Sequence, residues 1–227
     1  VILPGSFLHL IDGTELEAKF SEWAMDSVLR HIESLNAQGL KLQLSVNIDA
    51  ERLRHRDFAN WVLSHLERHP AVPPDQLDLE ITENAAVYDV NHVAGELAQL
   101  RAIGVSVSLD DFGMGYSSLA YLRRLPIDQV KLDQSYVRGM MQDPADQAIV
   151  QGVIGLARSF GYHIVAEGVE SAEQGILLAR MGCLIVQGHG ISRPMPAEDF
   201  AEWAAQWQTP KAWLEAARMI TAPLPLV

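Results

Sequence analysis

Six positions along the chain carry side chains able to bind a metal or handle a proton, and each stands at the end of a short apolar run. They are Asn47, Glu80, Asp110 with Asp111, Lys131 with Asp133, Glu167, and Gln187. The intervals between the leading residues are 33, 30, 21, 36 and 20 residues. Each interval is about one strand-plus-helix unit long, so these side chains share the carboxyl edge of a parallel sheet. In a closed barrel they would converge on one mouth, where such folds place their chemistry. In an open sheet only those near the switch point would share a ligand.

Hard oxygen donors without clustered His or Cys suit Mg²⁺ or Mn²⁺. Adjacent aspartates with glutamates from other strands suit a two-metal site of the kind that cleaves phosphodiesters. Taken singly, each residue has a plainer role. Asp110-Asp111 could cap a helix, Lys131 could be a solvated cation, Glu167 could pair with an arginine, and Gln187 could belong to a turn. The succession of six gives the pattern its weight. Asp111-Phe112-Gly113 and His55-Arg56-Asp57 also spell two kinase motifs. The Gly-rich loop and strand lysine that must precede them are missing, and Val62 stands where the catalytic-loop asparagine belongs.

Strands alternate with helices. Strands are expected at 40–47, 76–82, 105–109, 129–132, 163–166 and 184–187. Helices are expected at 19–38, 56–68, 90–103, 143–160, 171–181, 197–207 and 210–219. Phe20, Trp23, Ala24, Val28, Leu29, Ile32 and Leu35 form one apolar face of the first helix. Ile149, Val150, Val153, Ile154, Ala157 and Phe160 do the same for 143–160, and Val93, Leu97, Leu100 and Ile103 for 90–103. Alternation of this kind favours parallel pairing, as an open doubly wound sheet or as a (β/α)8 barrel two strands short.

Composition limits the partners. The 227 residues carry 17 Lys+Arg against 29 Asp+Glu, a net charge of −12, so binding to a nucleic-acid polymer is not expected. An anionic small ligand would need local cations or metal ions. A single cysteine, Cys183, excludes an internal disulfide and a cysteine-ligated zinc site. No apolar run is long enough to cross a membrane, and no signal peptide is expected, so the cytoplasm is the expected compartment. The chain begins with Val1, not Met, and reads as part of something longer, such as the cytoplasmic part of a membrane-attached protein.

The ordered motifs decide further. Ser45-Val46-Asn47, Leu79-Glu80-Ile81-Thr82-Glu83, and Leu109-Asp110-Asp111-Phe112-Gly113-Met114-Gly115-Tyr116-Ser117-Ser118-Leu119 come first. Leu125-Pro126, Val130-Lys131-Leu132-Asp133, Val165-Ala166-Glu167-Gly168-Val169-Glu170, and Gln187-Gly188 with Ser192-Arg193-Pro194 follow. This series resembles the EAL domain, the cyclic di-GMP phosphodiesterase family of bacterial signalling, from about Pro4 to Phe200.

The resemblance implies an α/β fold, a (β/α)8 TIM-like barrel of the EAL type with one antiparallel strand. It implies hydrolysis of cyclic di-GMP to linear pGpG with two Mg²⁺ or Mn²⁺ ions. It assigns Asn47, Glu80 and Asp110 to one metal, with Asp110 bridging, and Asp111 to the second with Glu167 nearby. Lys131 would orient the attacking water. Glu83 would anchor the loop 113–118, which includes Gly115 and Ser117, and that loop is tied to dimerisation. Asp133, Glu170, Gln187 and Arg193 fall on the substrate side. A homodimer and upstream sensory or GGDEF-type domains are expected partners. Residues 1–208 would form the EAL domain, with a helix and tail at 209–227.

The chain departs from the family pattern in two respects. The glutamate of the Glu-Ala-Leu signature and the arginine that follows it are not in this sequence, which starts at the Pro4 and Phe7 segment. The first two barrel strands are thus expected upstream, and without them open edges would remain. Met114 replaces the usual threonine; Asn84, and Ile48 with Asp49, are smaller changes. The rival expectation is a cyclic di-GMP receptor that binds without catalysis.

Overall fold

The computed structural model describes residues 6–11, 13–87, 89–113 and 122–221. The chain forms two compact units, one up to Ser106 and one from Val107.

In the first unit the described elements are α1 (Leu8–Ile11), α2 (Glu15–Ala37), β1 (Leu44–Ile48), α3 (Ala50–Arg54), α4 (Phe58–Arg68), β2 (Leu77–Thr82), α5 (Glu83–Val87) and α6 (Val90–Ala102). Helix starts follow from local capping. Thr14 accepts from the Leu16 amide, Asp49 from Arg52, and Asp89 from His92. Asp57, the cap of α4, makes no side-chain bond of this kind. Glu96 of α6 meets the need instead, taking a 2.7 Å hydrogen bond from the Ala59 amide. β1 and β2 pair in parallel, with Val46 beside Leu79 and Asn47 beside Glu80. Every β2 residue except Thr82 is buried, as expected for a parallel strand covered on both faces. Asp78 lies within it and accepts from Ser45 Oγ at 2.9 Å.

In the second unit the order is β3 (Ser106–Phe112, all but its first residue), β4 (Gln129–Leu132), α7 (Gln134–Gly139), α8 (Pro144–Phe160), β5 (His163–Ala166), α9 (Ala172–Met181), β6 (Ile185–Val186), α10 (Ala197–Gln206) and α11 (Lys211–Thr221). β3–β4, β4–β5 and β5–β6 are all parallel. Leu132, Val137, Val150, Ile154, Ala166 and Leu178 belong to one core. Trp213 of α11 joins it, its Nε1 donating to the Ala172 carbonyl at 2.9 Å.

All six expected strands are present among the described residues, and the long helices lie within a few positions of their expected bounds. The expected short helix leading to Leu122 falls on 114–121, outside the described residues. Four short helices, α1, α3, α5 and α7, were not expected, because four to six residues carry too little periodicity to read. Helix faces are narrower than expected. In α2 the buried stripe is Met25, Val28, Leu29, Ile32 and Leu35. Trp23 is 60% exposed and packs on Phe20 instead, with ring centroids 5.6 Å apart. In α8 only Val150, Ile154 and Ala157 are buried, and Ile149 faces outward. Ile103 is exposed just past the end of α6.

Candidate active site

The second unit gathers charged groups where β3, β4 and β5 end. β3 and β4 run in register at Leu109↔Val130, but the next partner of Leu132 is Phe112. The register therefore breaks at Asp110-Asp111. A break of this kind re-aims side chains. Asp111 has φ 53°, which is rare for a residue with a Cβ, and its amide donates to Asp110 Oδ1 at 3.0 Å.

Lys131 is only 4% exposed. Its Nζ lies 2.6 Å from Glu167 Oε1 and 3.8 Å from Asp110 Oδ1. A buried ammonium is tolerated when it is paired in this way. Glu167 follows β5 directly, and its amide donates to the Leu132 carbonyl at 3.1 Å, so the turn carrying it is tied to β4. The carboxyl of Asp111 sits above the ordinary carboxylate range. Partial desolvation leads, repulsion from Asp110 and Asp133 adds to it, and Lys131 pulls the other way.

Asp133 is the N-cap of α7, accepting from the Ser135 amide at 2.8 Å and from the Ser135 hydroxyl. Glu170 is exposed and pairs with Arg138 at 3.0 Å. Gln187 and Arg193 are exposed. The Gln187 backbone bridges Ala166 and Val169, donating to one at 2.8 Å and accepting from the other at 3.0 Å.

In the first unit, Glu80 is 8% exposed and stands in register with the exposed Asn47. Glu83, the first residue of α5, is buried. Its expected partners Gly115 and Ser117 lie outside the described residues, as does most of the loop 113–118.

Asp110, Asp111, Lys131, Asp133 and Glu167 are thus brought together electrostatically, while Glu170 is engaged to one side by Arg138. Sequence reasoning missed Tyr136, whose hydroxyl donates to the Gly113 carbonyl at 2.7 Å, and Arg138. Tyr136 stands three residues after the helix cap Asp133, and no local pattern ties it to Gly113. Four carboxylates here face the single ammonium of Lys131. That donor set, all hard oxygen and unbalanced in charge, fits a divalent cation. Among the described residues, no three His, Cys, Asp or Glu side chains already converge on one point.

The EAL domain model matches residues 1–194. The chain belongs to the EAL domain family. Two Pseudomonas aeruginosa proteins are similar to this EAL domain. One is the diguanylate cyclase/cyclic di-GMP phosphodiesterase MucR, 40% identical over 87% of this chain and 29% of the relative. The other, described as a cyclic di-GMP phosphodiesterase, is NbdA, 36% identical over 88% of this chain and 26% of the relative. The chain therefore spans less than a third of the length of either. The solved MucR phosphodiesterase in complex with c-di-GMP superposes with a TM-score of 0.83 at 40% identity, covering 88% of this chain and 81% of that one. The expected α/β architecture of parallel strands and helices is that of the EAL fold, a TIM-like barrel type.

Proposed function

We propose that this chain is a catalytic domain that hydrolyses cyclic di-GMP to linear pGpG. The observation that carries the proposal is Lys131, buried at the strand ends and held between Glu167 and Asp110. Family membership and the phosphodiesterase descriptions of MucR and NbdA support the substrate.

EAL phosphodiesterases are metal-dependent as a class. In this proposal Asp110, Asp111 and Glu167 would be ligands for a pair of Mg²⁺ or Mn²⁺ ions, and the family resemblance alone adds Asn47 and Glu80 to the ligand set. Bound ions would supply charge neutralisation at the phosphate and acidify water. Lys131 has three donor protons. The ammonium donates to Glu167 and stands beside Asp110, and from there it would orient a water for attack and stabilise charge that develops on oxygen. Glu167 holds that ammonium in place and accepts a proton. The water oxygen bonds to phosphorus, one P–O ester bond breaks, and the proton that Glu167 took from the water passes to the departing oxygen, which leaves as a hydroxyl. Asp133, Glu170, Gln187 and Arg193 are assigned to the substrate side. Glu83, Gly115 and Ser117 are assigned to the loop that links metal binding to a homodimer.

Upstream sensory or GGDEF-type domains, a cytoplasmic setting, and an EAL domain ending near residue 208 belong to the same proposal. Among the described residues no helix is long and apolar enough to cross a membrane. The test is incubation of the chain, in its full-length protein, with cyclic di-GMP and Mg²⁺ or Mn²⁺. Formation of pGpG supports the proposal. Tight binding without product overturns catalysis in favour of a receptor.

A further inference from the structure

We infer that the first turn of α7 is a brace that fixes the two acidic strand-end turns relative to each other, and that Tyr136 is its positioning residue. The inference rests on the phosphodiesterase reading for its functional meaning.

Three side chains of this turn, those of Asp133, Gln134 and Tyr136, face three parts of the site. Asp133 caps the helix and adds its charge beside Asp111. Gln134 sits against Gly168, the residue after Glu167. A Cβ at Gly168 would lie 2.5 Å from Gln134 Cβ, and Gly168 has φ 69°. No other residue type fits there without moving Glu167 or the helix. Tyr136 sits against Gly113, two residues after Asp111. Its hydroxyl donates to the Gly113 carbonyl at 2.7 Å, and a Cβ at Gly113 would come 3.1 Å from its ring.

The brace is itself anchored. Val137 is fully buried, and the buried side chain of Gln174 donates to the Val137 carbonyl at 3.1 Å. The oxygen of the same amide accepts from the Glu170 and Ser171 backbone. The turn therefore has a fixed base in the core and two contacts toward the acids. Asp111, in its left-handed conformation, lies where the β3–β4 register shifts, and the Tyr136–Gly113 bond ties the chain just beyond it to α7.

The test compares Tyr136→Phe with Tyr162→Phe in the complete chain. Tyr162 also donates its hydroxyl to a backbone carbonyl, that of Leu122, at 3.1 Å. Both variants lose one hydroxyl from a half-buried ring. Amide hydrogen exchange of residues 109–113 is followed without metal, and Mn²⁺ affinity is followed by electron paramagnetic resonance. Tyr136→Phe is expected to speed exchange at 109–113 and to weaken Mn²⁺ binding by about three- to ten-fold, the range of one lost hydrogen bond. Tyr162→Phe is expected to change neither. Equal behaviour of the two variants overturns the brace, and so does faster exchange with unchanged Mn²⁺ affinity. Wild-type protein that binds no Mn²⁺ and forms no pGpG overturns the phosphodiesterase reading, while the exchange comparison still decides whether Tyr136 holds the turn.

Discussion

Lys131 and Glu167 leave neighbouring parallel strands and meet at 2.6 Å with the ammonium almost wholly buried. The register explains the meeting. Lys131 pairs with Val165, and Glu167 stands two residues further on, so the period of two returns it to the same face. Neither residue is well placed without the other.

The pair can be measured as a cycle. Lys131→Met and Glu167→Gln should each cost about 1–3 kcal/mol of stability, since each leaves a desolvated partner. The double variant should cost less than their sum, with a coupling of about 1–2 kcal/mol in denaturant melts. Strict additivity would show that the contact contributes nothing to the fold.

Trp213 covers Gly175 closely; a Cβ at Gly175 would lie 2.1 Å from the indole. Trp213→Ala should therefore destabilise the second unit by about 3–5 kcal/mol, the cost of emptying a large aromatic site. A thermal melt within a degree of wild type would mean that α11 is not part of this core.

Much of this arrangement was legible in the residues. The strand ends Asp110, Lys131 and Glu167 announced themselves by type and interval, because a parallel strand repeats at the length of its crossover. The long helices α2 and α8 announced themselves by apolar period. What escaped is set by tertiary geometry. The exposure of Trp23 depends on which side of α2 meets β1, and periodicity gives a face only to within one residue. The break at Asp110-Asp111 and the Tyr136–Gly113 bond have no local pattern of their own. The Asn47–Glu80 register was not readable either, since a one-residue slip leaves the same composition.

Asp26 offers a pH test away from the site. Burial alone would raise its carboxyl. The hydrogen bond and charge of the buried His65 at 2.7 Å, with Arg68 at 3.2 Å, outweigh that and hold it below the ordinary range. His69 also approaches, at 3.8 Å. A lowered folded value means that the stabilisation exists above the unfolded value and disappears as pH falls through the folded one. Asp26→Ala should cost about 1–3 kcal/mol at pH 7. In urea melts the gap should close as pH drops below about 3.9. A gap independent of pH would contradict the assignment.

Cys183 should be silent toward thiol reagents in the native protein. Burial pushes its thiol up to about 11, and it donates to the Ile185 carbonyl at 3.2 Å. Ellman's reagent at pH 8 should label it only after urea is added. Rapid labelling without denaturant would show that the edge at β6 opens.

The central claim is that the acidic strand ends, not the fold alone, carry out hydrolysis. The most direct measurement is pGpG formation from cyclic di-GMP in Mn²⁺ by the wild-type protein and by Asp110→Asn, with EDTA controls. The account predicts metal-dependent product from wild type and a loss of at least about a hundred-fold in the variant. Near-wild-type turnover by Asp110→Asn, or product that persists in EDTA, would contradict it.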